Sequence, residues 1–269
     1  MNKETIIRII LIIAIILSIV GIGYLVYGVI QNNIYKPQNP IATIEVKDFG
    51  TMKVELYPDY APNTVTNFIK LANNGFYDGT TFHRTIPEFM IQGGDKEGDG
   101  TGTPTLKDLD ENLEDKKYNI KGEFIANKYN NNTLKLERGV IAMARSDYSS
   151  LGSSLTTKGY NSGGGQFFIL HQDQSSIDGT YAGFGKVIEG LDVLDKIATT
   201  EVYYRSSELA EGQEAPKDEN GETISSDTPK VKPEITSVKV ETFGVDYGMP
   251  ETLEPFDYSS WISSQYNFN

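Results

Sequence analysis

One stretch of the chain has no polar face at all. From Ile9 to Ile30 there is not one charged residue, and at 1.5 Å per residue a helix of that length crosses a hydrocarbon layer roughly 30 Å thick. The only relief is Ser18, three glycines and the amphipathic Tyr24 and Tyr27, which suit a membrane interface. A cleaved signal peptide has an apolar region of about 7 to 15 residues and an Ala-x-Ala-like site. This run is longer and lacks the site, so the pattern predicts an uncleaved single-pass anchor. Lys3 and Arg8 precede it, which keeps the N-terminus cytoplasmic and the rest of the chain outside the cell membrane, with Lys36 weakening the asymmetry.

After a linker at residues 31–40, with Asn32, Asn33, Pro37 and Pro40, the pattern changes to period two. Ala42, Ile44 and Val46, then Met52, Val54 and Leu56, alternate with mostly polar residues on either side of Asp48-Phe49-Gly50, which predicts a hairpin. Pro62 and Asn63 open a helical stretch with Val65, Phe68, Ile69 and Ala72 on one face. Strand-like runs follow at Thr81 to Gln92, Gly139 to Ala144, Gln166 to His171 and Gly183 to Val187. Leu191, Leu194 and Ile197 stripe a second helix, and Ile235, Val238, Val240 and Phe243 read as a last strand.

Many strands, two short helices and no βαβ alternation predict a mainly β fold, a closed or nearly closed antiparallel sheet capped by helices. The globular domain is expected over 41–245. Within it, residues 206–230 carry seven acids, two prolines and almost no large apolar side chain, and read as a mobile acidic insertion. A tail at 246–269 carries Phe256, Tyr258, Trp261, Tyr266 and Phe268, expected to dock on its own domain.

Charge and composition then narrow the chemistry. The 269 residues include 24 Lys plus Arg, 37 Asp plus Glu, two His and no Cys, for a net charge of -13. Without cysteine there is no disulfide framework, thiolate nucleophile or zinc ribbon, and two histidines leave little for a multi-His metal site. No metal and no cofactor are expected. The acidic balance also speaks against nucleic acid as a partner. Asp95 to Gly100 hints at a calcium loop, but its twelfth position is Leu106, so it reads as a glycine-rich turn. Asp48-Phe49-Gly50 spells a kinase magnesium motif without the companion motifs and reads as a turn.

The most informative segment is Thr81-Phe82-His83-Arg84-Thr85-Ile86-Pro87-Glu88-Phe89-Met90-Ile91-Gln92-Gly93-Gly94-Asp95. It sets one guanidinium among large apolar side chains, which by itself an arginine capping a core edge would also explain. Strand spacing puts Arg84, Met90 and Gln92 on one face, provided Pro87 does not shift the register.

The run Phe82 to Asp95 resembles the signature of the cyclophilins, peptidyl-prolyl cis/trans isomerases, and three later segments agree in order. These are Tyr118 to Phe124 followed by Arg138 to Ser146, then Gly164-Gly165-Gln166-Phe167-Phe168-Ile169, then Phe184 to Gly190. The resemblance covers residues 41 to 245 and implies a closed eight-stranded antiparallel barrel with a helix at each end. By match to the family's motifs, Arg84 is the catalytic arginine, Gln92 the glutamine that orients it and contacts the substrate backbone, and Phe89 belongs with them. Phe89, Met90, Phe168 and Ile177 match the slot for the proline ring, and Ala144, Arg145 and Gln166 match the groove for the residues before proline.

There are departures from the family pattern. Arg145 replaces a common asparagine, Ser176 stands where tryptophan is frequent, and Tyr181 takes the place of a groove histidine. Cyclosporin-type ligands use that tryptophan, so weak binding of them is expected. The segment Asp147 to Ser162 is longer than the usual loop and borders the groove. His83 is read as a packing or orienting residue and His171 as a polar strand end. The resemblance implies proline-containing polypeptides as substrates, and together with the anchor it predicts an isomerase, expected to be a monomer, that assists the folding of exported proteins. The alternative is a membrane-tethered, non-catalytic peptide-binding module or holdase.

Overall fold

The computed structural model describes residues 2–34, 38–205, 208–209 and 213–266. Contacts divide the chain into two units, Met1–Gln38 and Asn39–Asn269. The first unit is one helix, α1 (Lys3–Ile34). Its part Lys3–Gly28 has mean hydropathy 3.0 and no burial, so by length and composition it is able to cross a membrane. The helix runs on through residues 31–34, expected to lie in the linker, because no proline or glycine breaks the pattern until Pro37. Linker residues 35–37 lie outside the described residues.

The second unit is built on eight strands. They are β1 (Ile41–Val46), β2 (Gly50–Leu56), β3 (Thr81–Ile86), β4 (Met90–Asp95), β5 (Val140–Met143), β6 (Phe167–Leu170), β7 (Gly183–Glu189) and β8 (Ile235–Glu241). All pairings are antiparallel, in the order β3-β4-β6-β5-β7-β2-β1-β8. The sheet curls until its two edges meet. Phe82 N donates to Pro233 O and Ile235 N to Thr80 O, and Thr81 bridges Glu234. The expected eight antiparallel strands are present, and the closing edge is this short stitch instead of a full ladder.

Alternation in the strands explains what lies inside. Ala42, Ile44, Met52, Val54 and Leu56 are fully buried, together with Phe82, Ile91, Phe167, Ile169 and Ile141. Two amphipathic helices add to this core. From α2 (Pro62–Asn73) come Val65, Phe68, Leu71 and Ala72, and from α5 (Leu191–Ala198) come Leu194 and Ile197. The one-turn α3 (Leu106–Leu109) adds Leu109. No side chain next to α2 caps its N-terminus, and the Glu123 carboxylate does so from a distance. It accepts from Asn63 N at 3.1 Å, Thr64 N at 2.8 Å and Thr64 Oγ1 at 2.7 Å, which satisfies donors that a helix start leaves open. Burial pushes the Glu123 carboxyl above its ordinary value, and these bonds pull the other way.

The structure corrects the sequence reading at two places. The run Thr81 to Gln92 is two strands joined by a β-turn, in which Phe89 N donates to Ile86 O at 3.1 Å. Pro87 occupies the second turn position and Glu88 the third with φ 63°, the sign a type II turn requires. A non-glycine residue in that region costs roughly 1 to 2 kcal/mol. The segment 147–162 contains a 3-10 turn at Ser149–Leu151 and a helix, α4 (Ser153–Tyr160).

The acidic insertion is tied to β3. Arg205 Nη1 donates to Thr85 O, Thr85 N donates to Asp227 O at 2.9 Å, and Lys217 pairs with Thr223. Residues 206, 207 and 210–212 of the insertion lie outside the described residues. The tail folds back onto the domain, as expected. Leu253 and Asn119 exchange backbone bonds, and Tyr258, which begins α6 (Tyr258–Tyr266), stacks on Tyr148 with ring centroids 5.5 Å apart. Tail residues 267–269, Phe268 among them, lie outside the described residues.

Candidate active site

One rung of the sheet carries the chemistry. Arg84 on β3 pairs with Gln92 on β4, Gln92 with Phe168 on β6, and Phe168 with Ala142 on β5. Cross-strand partners share a face, so these side chains line up on the outer surface of the curled sheet. Two residues along, Ile86, Met90, Leu170 and Val140 fall on the same face. Met90, Val140, Ala142, Phe168 and Leu170 form a second apolar cluster, separate from the main core, against which Phe89, Ala144, Ile177 and Tyr181 pack.

Over this cluster opens a cavity of about 220 Å³ lined by Arg84, Phe89, Met90, Gln92, Ala144, Arg145, Asp147, Phe168, Ile177 and Tyr181. Nine of the ten residues singled out in the sequence therefore converge on one space. The tenth, Gln166, lines an adjoining cavity of about 190 Å³ that shares Gln92, Ala144 and Arg145. Asp147 was not anticipated, since nothing in its spacing distinguishes it from the rest of its loop.

The polar groups divide into engaged and free. Gln92 Nε2 donates to Gln166 Oε1 at 3.1 Å, and Gln166 Nε2 donates to Gly100 O at 3.0 Å and Gly102 O at 3.1 Å. Gln92 is thus held by Gln166, and no Gln92–Arg84 hydrogen bond is present. The Arg84 guanidinium has no hydrogen bond or ion pair among the described residues and faces the cavity. Arg145 is committed inside the protein. Its Nε donates to Thr180 O at 3.1 Å, and its guanidinium lies 4.4 Å from the Tyr181 ring centre and 4.9 Å from that of Tyr160. Tyr181 in turn meets Phe168 edge-on at 5.2 Å.

Both histidines differ from ordinary surface residues. His83 lies at a bulge of β3 and is 5% exposed, with neither ring nitrogen bonded to a described residue. Burial holds its imidazole below the ordinary value, the nearby Asp95 carboxylate opposes this, and Lys232 adds to it. His171, expected to be a polar strand end, joins a network that reaches the Pro87–Glu88 turn. Its Nδ1 accepts from Glu88 N at 2.8 Å and its Nε2 lies 3.1 Å from Asp195 Oδ1.

A third cavity, of about 620 Å³, lies on the other side of Arg84, between His83 and Lys232 on one wall and Asp218, Glu222 and Thr223 of the insertion on the other. The Asp95 carboxylate shapes the adjoining 95–100 loop by accepting from Glu97 N, Asp99 N and Gly100 N. Among the described residues no group of three or more His, Cys, Asp or Glu is arranged to hold a metal ion.

The curled eight-stranded sheet thus carries on its outer face an arginine, without a bonded partner among the described residues, beside an apolar slot. The family model for cyclophilin type peptidyl-prolyl cis-trans isomerases matches residues 41–240. Peptidyl-prolyl cis-trans isomerase B of Bacillus subtilis is 39% identical over 157 residues, covering 58% of this chain and 90% of the relative. A peptidyl-prolyl cis-trans isomerase of Synechococcus elongatus is 36% identical over 161 residues, covering 57% and 90%. A crystal structure of a cyclophilin type isomerase from Cryptosporidium parvum, determined in the presence of the dipeptide Ala-Pro, superposes with a TM-score of 0.52 at 26% identity, covering 75% of this chain and 98% of that one. The chain belongs to the cyclophilin-type peptidyl-prolyl cis-trans isomerase family.

Proposed function

We propose that this isomerase is anchored in the cell membrane by α1, N-terminus inside, and acts as a monomer on X-Pro bonds of exported polypeptides at the outer face. The membrane part rests on the length and apolarity of α1 and on Lys3 and Arg8 before it. The catalytic part rests on one observation above all: Arg84 has no hydrogen bond or ion pair among the described residues and borders an apolar slot.

Rotation about a peptide C–N bond is slow because amide resonance imposes a barrier of about 18 to 20 kcal/mol. No bond is broken, so the catalyst needs only to favour the twisted amide over its two planar forms. In the twisted form the proline nitrogen regains a lone pair, and the Arg84 guanidinium donates a hydrogen bond to it. The proline ring lies against Phe89, Met90, Phe168 and Ile177, a burial worth about 1.5 to 3 kcal/mol. Gln92, steadied by Gln166, holds the backbone of the substrate, and Ala144 and Arg145 line the way in for the residues before proline. Because Gln92 and Gln166 are fixed before substrate arrives, little reorganisation is needed at the moment of rotation.

The test is exchange NMR on an X-Pro peptide with the full chain in detergent, with and without Arg84→Ala. A holdase that protects clients equally well after Arg84→Ala, with no catalysed exchange in either protein, is the outcome that removes the proposal.

A further inference from the structure

The turn between β3 and β4 is held from outside by a histidine. Pro87 and Glu88 join the strand that carries Arg84 to the strand that carries Met90 and Gln92, so the shape of this turn sets how those side chains face one another. Glu88 sits at φ 63°, a conformation its side chain does nothing to favour. Its backbone N–H points to His171 Nδ1 at 2.8 Å, and its carbonyl accepts from Gln174 Nε2 at 2.9 Å. The next residue, Phe89, offers its carbonyl to His171 N at 2.8 Å. Both peptide groups that flank the strained residue are thus bonded to the segment following β6.

The chemistry fixes the state of the imidazole. A backbone amide only donates, so Nδ1 is the unprotonated nitrogen and the ring proton sits on Nε2, facing Asp195 Oδ1 on α5 at 3.1 Å. Arg138 Nη2 donates to the same carboxylate oxygen at 2.7 Å, and Arg138 Nη1 donates to His171 O. The charged groups around the ring are therefore Asp195 from α5, Arg138 from the chain before β5, and Glu88 from the turn itself.

We propose that His171 is a positioning residue: by accepting from Glu88 N–H it holds the left-handed turn that aligns Arg84 with Met90, Phe89 and Gln92 for an X-Pro substrate. The inference rests on the site reading given above. It assigns His171 no contact with substrate.

The test measures kcat/KM of the full chain in detergent for wild type, His171→Asn, His171→Leu, Glu88→Gly with His171→Leu, and Arg84→Ala. Asparagine supplies an acceptor, leucine supplies none, and glycine adopts positive φ without support. Expected are a loss of roughly tenfold for His171→Leu, near wild-type activity for His171→Asn, and recovery when Glu88→Gly is added to His171→Leu. A merely structural histidine would give neither rescue. Wild-type activity in His171→Leu overturns the proposal. So does a folded double variant, or a folded His171→Asn, that stays as slow as His171→Leu. If Arg84→Ala keeps full activity, the site reading beneath the inference fails instead.

Discussion

Arg84 and Gln92 face each other across the first hairpin of the site, Cα partners on adjacent antiparallel strands, yet their side chains are not bonded to one another. Gln92 is anchored to Gln166, and the guanidinium opposite is left for whatever enters the cavity. A polar pair built this way keeps one member rigid and the other available.

His83 should make stability sensitive to acid. Burial lowers its pKa below the ordinary 6.5, so the folded protein favours the neutral ring. The unfolded chain takes up the proton first, and stability that is fully present above about pH 6.5 is lost as pH falls toward the depressed folded value. His83→Leu is expected to flatten the pH dependence of Tm below that point, as read by thermal melts across a pH series. Equal slopes in both proteins would refute the assignment.

Arg205 and Asp227 tie the acidic insertion to β3. Asp227 is 2% exposed, and its Oδ1 lies 3.4 Å from Arg205 Nη1. Removing the arginine leaves a buried carboxylate without its partner, a loss of about 3 kcal/mol. Arg205→Ala is therefore expected to lower the midpoint of urea unfolding, while Arg205→Ala with Asp227→Asn recovers part of the loss. A single variant as stable as wild type would contradict the pairing.

Arg145 is expected to act through packing. Its guanidinium lies between Tyr181 and Tyr160, so Arg145→Ala forfeits about 1 to 2 kcal/mol of cation–π contact and frees α4. Hydrogen exchange at the Tyr160 amide should rise, with kcat changed less than about threefold because Arg84 is untouched. A collapse of kcat with no change in exchange would mean that the guanidinium acts on the rotating bond and not through packing.

Ser176 is exposed in the short turn Ser175–Ile177 at the rim of the slot. Weak binding of cyclosporin-type ligands is expected, with Ser176→Trp tightening it in calorimetry. Tight binding by the wild-type chain would count against this reading of the rim.

Much of the fold was legible because period-two alternation and motif order survive in the chain: β1, β2, α2 and α5 fall where the pattern puts them, while β8 ends at Glu241, short of Phe243, whose φ of 53° leaves the strand. Arg84, Met90 and Gln92 share a face not by alternation along one strand but because two strands pair across a turn centred on Glu88, which Pro87 opens. Long-range partners left no trace in local spacing. His171 reaching Glu88, Arg205 reaching Asp227 and Thr85, and Glu123 capping α2 all depend on how the sheet curls, as does the commitment of Arg145 to two aromatic rings. The ties of the acidic insertion are likewise illegible in composition, since the buried Asp227 is held by a few specific bonds and not by apolar content.

The most direct measurement is the catalysed cis/trans exchange rate of an X-Pro peptide with wild type and Arg84→Ala, both shown to be folded. The account predicts a fall of roughly 10²- to 10³-fold in kcat/KM with peptide binding largely kept. Equal rates in the two proteins would contradict it.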